Sequence, residues 1–167
     1  MEARAERRGE LRKLFEERVP ALGCPDFVAR HVRCLLGNEA LDTGCKVEII
    51  RNAGTPRMTL RYAFDDGITV YGKVYTDGVG QANYSWLRRL WENGFGPRSA
   101  QRVAEPLGFC ADENLLLLRA ARGRSLATLL LQEPIEHVLP GVRAAACWLA
   151  RLHASTLAGR GPERQSA

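Results

Sequence analysis

Residues 57–75 read RMTLRYAFDDGITVYGKVY and carry the clearest β-hairpin pattern of the chain. Apolar or aromatic side chains occupy every second position of 57–64, which is the period of a strand with one buried face. Residues 65–67 are Asp-Asp-Gly, and an Asp-Gly pair tolerates the left-handed backbone of a tight hairpin turn. Strand-forming residues resume over 68–75. The stretch therefore predicts two antiparallel strands joined by a short turn.

Strand patterns also stand on both sides of this hairpin. Upstream, residues 47–51 read VEIIR and are followed by the turn-rich loop 52–56, NAGTP. Three strands joined by short loops predict an antiparallel meander. Downstream, residues 103–110 and 114–119 predict a further strand pair. The fold class expected from this order is α+β, with a five-stranded antiparallel sheet and flanking helices.

Two helices are predicted before the sheet. Apolar residues at helical spacing indicate an amphipathic helix over 5–19, and a second helix follows Pro25. Gly37 is a suitable C-terminal stop for the second helix. The side chains expected to form its inward stripe are Phe27, Val28, His31, Val32 and Leu35.

Three more helices are predicted around and after the later strands. One spans 81–93 and ends at a Gly-Phe-Gly-Pro sequence. A short helix begins after Ser125, whose side chain can cap it, and runs to about Gln132. A long, alanine-rich helix then covers roughly 138–155. The sheet is therefore followed by one short and one long helix.

Composition limits the class of protein. The chain has 167 residues, enough for one well-packed domain. No apolar run approaches the roughly 20 residues that a membrane helix needs, and the mixed-charge N-terminus lacks the apolar segment of a signal peptide. We therefore expect a cytoplasmic protein without a membrane partner.

Cysteine and charge patterns indicate little specific chemistry. The five cysteines are scattered, without a Cys-x-x-Cys pair, which favours free thiols over disulfides or a zinc site. The net charge is +5, but the arginines are interleaved with acidic residues along the whole chain. Nucleic-acid binders usually concentrate such an excess on one face. An anionic small ligand such as a nucleotide suits the balance equally well.

The order of predicted elements resembles a known family. Residues 71–75 read YGKVY on the third strand, 104–109 read AEPLGF and lead to the fourth, 115–123 lie at the junction between the lobes, and 150–154 read ARLHA on the long helix. In this order and at this spacing they resemble the N-terminal lobe of the aminoglycoside phosphotransferase and choline kinase family, which has a protein-kinase-like fold. The resemblance covers about residues 45–155.

This resemblance implies four parts of the chain. They are an N-terminal helical segment over 1–40, a kinase-like N-terminal lobe over 41–121, the start of a helical C-terminal lobe over 122–158, and a frayed tail over 159–167.

The resemblance also implies an ATP site. Lys73 would hold the α- and β-phosphates, as the third-strand lysine of such kinases does. Taken alone, this position favours a solvent-facing lysine on an edge strand over a phosphate contact. Gly54 would belong to the loop that covers the phosphates, or would serve only as a hairpin residue. Arg119, Ala120 and Ala121 would form the hinge, whose main-chain groups bind the adenine edge.

A lysine of this kind normally pairs with a glutamate on the next helix. Glu92 is the only carboxylate of the helix over 81–93 and is the candidate partner of Lys73. Glu92 lies near the end of this helix on a face shared with Arg88 and Arg89, so a surface ion pair with one of them is the favoured, competing interpretation.

Relatives of this type carry a catalytic loop of the form His-Gly-Asp-x-x-x-x-Asn after the long helix. No His-x-Asp occurs anywhere in this chain. We therefore assign no catalytic residue and no metal ligand, and expect magnesium only in a complete enzyme. The expectation is a chain that ends before its C-terminal lobe and is inactive alone.

Three functions stay open at this point. The first is the nucleotide-binding lobe of an ATP-dependent phosphotransferase that acts on a hydroxyl group of an acceptor. The second is a non-catalytic regulatory or protein-interaction module with the same fold. The third and weaker one is a basic nucleic-acid-binding domain. For the first two, the expected partners are a nucleotide and either a missing C-terminal lobe or a second copy of the chain, since an isolated lobe exposes apolar surface.

Overall fold

The computed structural model describes residues 2–37, 44–52 and 56–155, which form two compact units. The first unit is drawn from 1–85 and 106–120, and the second from 86–105 and 121–167. The helices are α1 Glu2–Gly23, α2 Pro25–Phe27, α3 Cys34–Leu36, α4 Gly80–Leu90, α5 Leu126–Gln132 and α6 Ile135–Ala154, with π-helical segments at Val28–Arg33 and Trp91–Phe95. The strands are β1 Cys45–Asn52, β2 Arg57–Phe64, β3 Thr69–Tyr75, β4 Pro106–Cys110 and β5 Leu115–Arg119.

The five strands form one open antiparallel sheet in the order β1-β2-β3-β5-β4. The predicted α+β class and the antiparallel five-stranded sheet are therefore confirmed. The turn between β2 and β3 uses Gly67 at φ +88°, a left-handed conformation that glycine adopts without a Cβ clash. Its N–H donates to the carbonyl of Phe64 at 3.0 Å. The Asp-Asp-Gly turn is thus where the sequence predicts it.

The sheet has two faces with different roles. On the inner face, Leu60, Gly72 and Leu117 lie in one cross-strand row. This face joins α1 and the helical segments over 25–36 in one apolar core. On the other face, Thr59, Lys73 and Leu116 form the neighbouring row. The fully buried members of the core are Phe15, Leu22, Val32, Met58, Leu60, Tyr62, Val70, Val74, Leu115 and Leu117.

The N-terminal helices differ from their predicted bounds. The first helix runs over Glu2–Gly23, longer than the predicted 5–19. The second predicted helix contains a π-helical segment at Val28–Arg33. A π-helical turn contains about one residue more than an α-helical turn, so side chains four residues apart point toward the core here. The buried side chains are therefore Val28, Val32 and Leu36. Leu35, predicted on the inward stripe, is 37% exposed.

The second unit has a small core of its own. Leu90, Phe95 and Leu152 are its buried members, and Trp86, Val103 and Trp148 pack against them. The predicted Ser125 cap is confirmed, because the Ser125 hydroxyl accepts the N–H of Thr128 at 3.0 Å. α6 begins at Ile135, earlier than predicted, directly after Pro134. Pro134 is the N-cap residue of α6 and lies outside the helix, with φ −56° and ψ 147°.

No helix among the described residues is long and apolar enough to cross a membrane.

Candidate functional site

Lys73 lies on an interior strand of the sheet. β3 pairs with β2 on one side and with β5 on the other, so the edge-strand alternative for this lysine is wrong. Its direct cross-strand neighbours are Thr59 and Leu116. Leu116 is fully buried, whereas the Lys73 side chain is exposed to solvent. The position therefore combines a rigid backbone with an accessible ammonium group.

Arg57 is the second cation beside this site. It pairs with Tyr75 in the register, two residues along from the Thr59–Lys73 pair and on the same face. Diagonal neighbours in an antiparallel pair are close enough for long side chains to interact. The Arg57 guanidinium also lies over the Tyr75 ring at 5.6 Å and forms an ion pair with Asp77 at 3.7 Å. The sheet thus holds two cationic side chains near each other.

The electrostatics of Lys73 reflect this setting. Partial burial among protein atoms lowers the pKa of Lys73, and the positive charge of Arg57 lowers it further. The exposure of the ammonium group lets water screen both effects. Among the described residues, no carboxylate forms an ion pair with Lys73. An anionic group near Lys73 would favour its charged form.

The connection between β1 and β2 lies at the Lys73 end of the sheet. The two strands pair up to Asn52 and Met58, one position from Thr59. Pro56, which ends the connection, accepts the N–H of Thr76 at 3.0 Å, just past the end of β3. Gly54, the candidate phosphate-loop residue, lies outside the described residues.

The predicted hinge residues lie at the C-terminal end of β5 and directly after it. Arg119 is the end of β5 and pairs with Val70. The N–H of Ala120 donates to the carbonyl of Thr69 at 3.0 Å, so this donor is used within the sheet. One of the three points at which the chain passes from one unit to the other lies between Ala120 and Ala121. Of the main-chain groups assigned to adenine binding, the carbonyl of Ala120 and the groups of Ala121 fit that role better than the Ala120 N–H.

Glu92 has a local partner. It lies in the π-helical segment after α4, and its carboxylate accepts from Arg88 Nε at 2.8 Å, four residues earlier. The structure therefore contains the surface ion pair that was the competing interpretation of Glu92. Glu92 as the partner of Lys73 stays a prediction.

A cavity of about 410 Å³ lies in the first unit and was not predicted from the sequence. Within it, Cys110 Sγ lies 3.6 Å from His31 Nδ1, and the His31 ring stacks on Phe27. Burial raises the pKa of the Cys110 thiol to about 11, which keeps it protonated and weakly nucleophilic. Residues from distant parts of the chain form this cavity, so no local pattern could reveal it.

A second cavity, of about 620 Å³, lies in the second unit beside Arg151. Arg151 donates to the carbonyl of Gly94 and to the hydroxyl of Ser99, both at 2.7 Å, and its guanidinium lies 4.8 Å from the Phe95 ring centroid. These contacts occupy Arg151 with the loop that follows Trp91. The sequence placed Arg151 only within the long-helix motif.

Among the residues that the structure describes, no group of three or more His, Cys, Asp or Glu side chains could hold a metal ion. No protein-family model matches the chain, and neither a curated protein nor a solved structure matches it.

Proposed function

We propose that this chain is the nucleotide-binding lobe of an ATP-dependent phosphotransferase whose acceptor is a hydroxyl group, of the aminoglycoside phosphotransferase and choline kinase type. Lys73 is the residue that contacts the α- and β-phosphates. The hinge at Ala120 and Ala121 takes the adenine edge. Catalytic groups are not assigned to this chain, and the acceptor is not specified.

The observation that carries the proposal is the setting of Lys73. It is an accessible ammonium on an interior strand, Arg57 lies beside it, and no described carboxylate forms an ion pair with it. A third-strand lysine that binds ATP phosphates is the arrangement that protein kinases use. A ligand that carries several negative charges would balance the Lys73 ammonium, which has no ion-pair partner among the described residues.

The connection between β1 and β2 supports the same assignment. Its ends at Asn52 and Pro56 lie at the end of the sheet where Lys73 stands. In kinases the corresponding loop covers the phosphates.

Magnesium enters the proposal only with the nucleotide. When bound to ATP, it neutralises charge on the phosphate oxygens. The described residues offer no group that could hold a metal ion by themselves. We therefore derive no step that depends on a metal held by this chain.

A binding titration tests the proposal. The purified chain is titrated with ATP by isothermal calorimetry, with and without Mg²⁺, and compared with Lys73→Ala. A charge-assisted contact contributes about 1.5–3 kcal/mol, so removal of Lys73 should weaken ATP binding by roughly 10- to 100-fold.

Lys46→Ala is the matched control. Lys46 is another exposed lysine of the same sheet, and its ammonium pairs with Glu48 at 2.8 Å. ATP affinity should stay within about twofold in this variant, because exposed ion pairs contribute little. Equal weakening by both substitutions, or no ATP binding by the wild-type chain, would refute the role of Lys73. Transfer of phosphate to an acceptor by the purified chain would refute the absence of catalysis.

A further inference from the structure

α6 presents an apolar stripe to solvent. Its members recur at spacings of four and three residues, which is the heptad pattern of a helix that packs against another helix. Ala146 continues the pattern and is also exposed. We call the five residues Ile135, Leu139, Val142, Ala146 and Leu149 the α6 stripe. Its large side chains and their exposed fractions are Ile135 61%, Leu139 43%, Val142 37% and Leu149 46%.

The stripe is distinct from the side of α6 that packs within its own unit. Val138 and Leu152 are the buried residues of the helix, at 1% and 9% exposure, and Trp148 packs against the small core. At about 100° per residue, the mean directions of the two sets differ by roughly 100°. The described residues of the chain thus leave between 37% and 61% of each large side chain of the stripe exposed to solvent.

Leu130 and Leu131 of the preceding helix add to this apolar surface. They are 53% and 87% exposed, although both lie on α5, which packs against α6. Single exposed apolar residues are normal on protein surfaces. Several of them on two neighbouring helices mark an interaction surface.

Two charges flank the stripe on one side. Glu136 and Arg143 are one heptad apart, so they point in nearly the same direction from the helix axis. Both are exposed, and neither forms an ion pair with a described residue. Because the two charges have opposite signs, this edge of α6 is complementary to the same edge of a second α6 that runs in the opposite direction.

We propose that the α6 stripe is the interface with a second copy of this chain, in which the two α6 helices pack antiparallel about a two-fold axis near Leu139 and Val142. Glu136 then faces the partner's Arg143, and Arg143 faces the partner's Glu136. Leu139 packs against the partner's Val142, and Ile135 lies opposite the partner's Ala146, where the small side chain allows close approach.

The antiparallel arrangement follows from the charges. In a parallel pair, the side of the stripe that carries Glu136 and Arg143 would meet the other side of the stripe on the partner helix. That other side holds Val138, which is buried within its own unit. In an antiparallel pair, equivalent flanks meet. A two-fold axis also produces both ion pairs at once, as isologous interfaces require. Removal of the apolar stripe from water drives association, and the exposed ion pairs set the register.

Sedimentation velocity of the full chain over a range of concentrations tests the interface. We expect a reversible monomer–dimer equilibrium. Val142→Glu places a charge at the centre of the stripe and should raise the dimer dissociation constant at least about tenfold. Circular dichroism of each variant verifies that the fold is retained. Arg102→Glu, a charge reversal at an exposed residue outside the stripe, should leave the dissociation constant unchanged.

Charge exchange tests the antiparallel register. Glu136→Arg alone and Arg143→Glu alone each put like charges opposite one another at two sites and should weaken the dimer by about tenfold. The double variant restores opposite charges and should recover wild-type association. A mixture of the two single variants should form more dimer than either one alone.

Two outcomes would overturn the proposal. A chain that stays monomeric at every concentration assigns the stripe to a different occupant, such as another domain or protein. A dimer that is insensitive to Val142→Glu, or that does not respond to the charge exchange, uses another surface or another register. ATP binding is measured separately, so neither outcome bears on the role of Lys73.

Discussion

The hydroxyl of Tyr62 on β2 donates a hydrogen bond to the carbonyl of Leu22 at 3.1 Å, within the core of the first unit. Leu22 belongs to the last turn of α1, where carbonyl groups lack partners within the helix. The contact joins residues 40 positions apart in the chain. It ties the end of the long N-terminal helix to the sheet that carries Lys73.

Tyr62→Phe should lower the free energy of unfolding by about 1–3 kcal/mol, because it leaves the Leu22 carbonyl buried without this donor. Chemical denaturation measures the change. Tyr71→Phe is the matched control, since Tyr71 is half-buried on the other face of the sheet. Its effect should stay within about 0.5 kcal/mol. Equal effects of the two substitutions would contradict a specific role of the Tyr62 hydroxyl.

Gly72→Ala should also destabilise the first unit. A Cβ at this position would lie 2.9 Å from Tyr62 Cε2 and 2.9 Å from Leu115 Cδ1, and both side chains are fully buried. Such overpacking costs about 1–3 kcal/mol. Gly9→Ala, in α1, meets no atom within 4 Å and should stabilise the protein by about 0.5–1 kcal/mol. Thermal unfolding of the two variants should therefore shift in opposite directions.

The reactivity of Lys73 should depend on folding. Folding lowers the pKa of this ammonium below the ordinary value of about 10.4, so the unfolded chain binds the proton more tightly. The lowered pKa of Lys73 therefore destabilises the folded chain most at pH values below the folded-state pKa. This destabilisation is lost as the pH rises through that pKa toward the ordinary value. Acylation followed by mass spectrometry should show Lys73 half-reactive at a lower pH in the native chain than in urea. The same midpoint in both states would contradict the lowered pKa.

Ser125→Ala should weaken α5. The Ser125 hydroxyl accepts the N–H of Thr128 at 3.0 Å, and an N-cap of this kind contributes about 1 kcal/mol. Hydrogen exchange of the first-turn amides should become faster in the variant. Ser125→Asp keeps an oxygen acceptor and should retain most of the protection. Loss of protection in Ser125→Asp as well would indicate that the cap is not the cause.

Part of the candidate site was predictable because its signals are local. The alternation over 57–64 predicted β2 with its observed bounds, and the Asp-Gly pair predicted the turn into β3. These features depend on neighbouring residues, whose side chains alternate between the faces of a strand. Lys73 could therefore be assigned to the third strand from the sequence alone. Its neighbour Arg57 was not recognised, because their proximity depends on strand register.

The sequence by itself determined the strands of the β2–β3 hairpin, its turn and the cap of α5, since periodicity, glycine geometry and capping act over a few residues. Only the tertiary structure decided the insertion of β5 between β3 and β4, the π-helical shift from Leu35 to Leu36, and the side of α6 that stays exposed. These features arise from packing and pairing between distant segments. Such contacts are selected by the shape and buried area of the whole unit, which no short window of sequence contains.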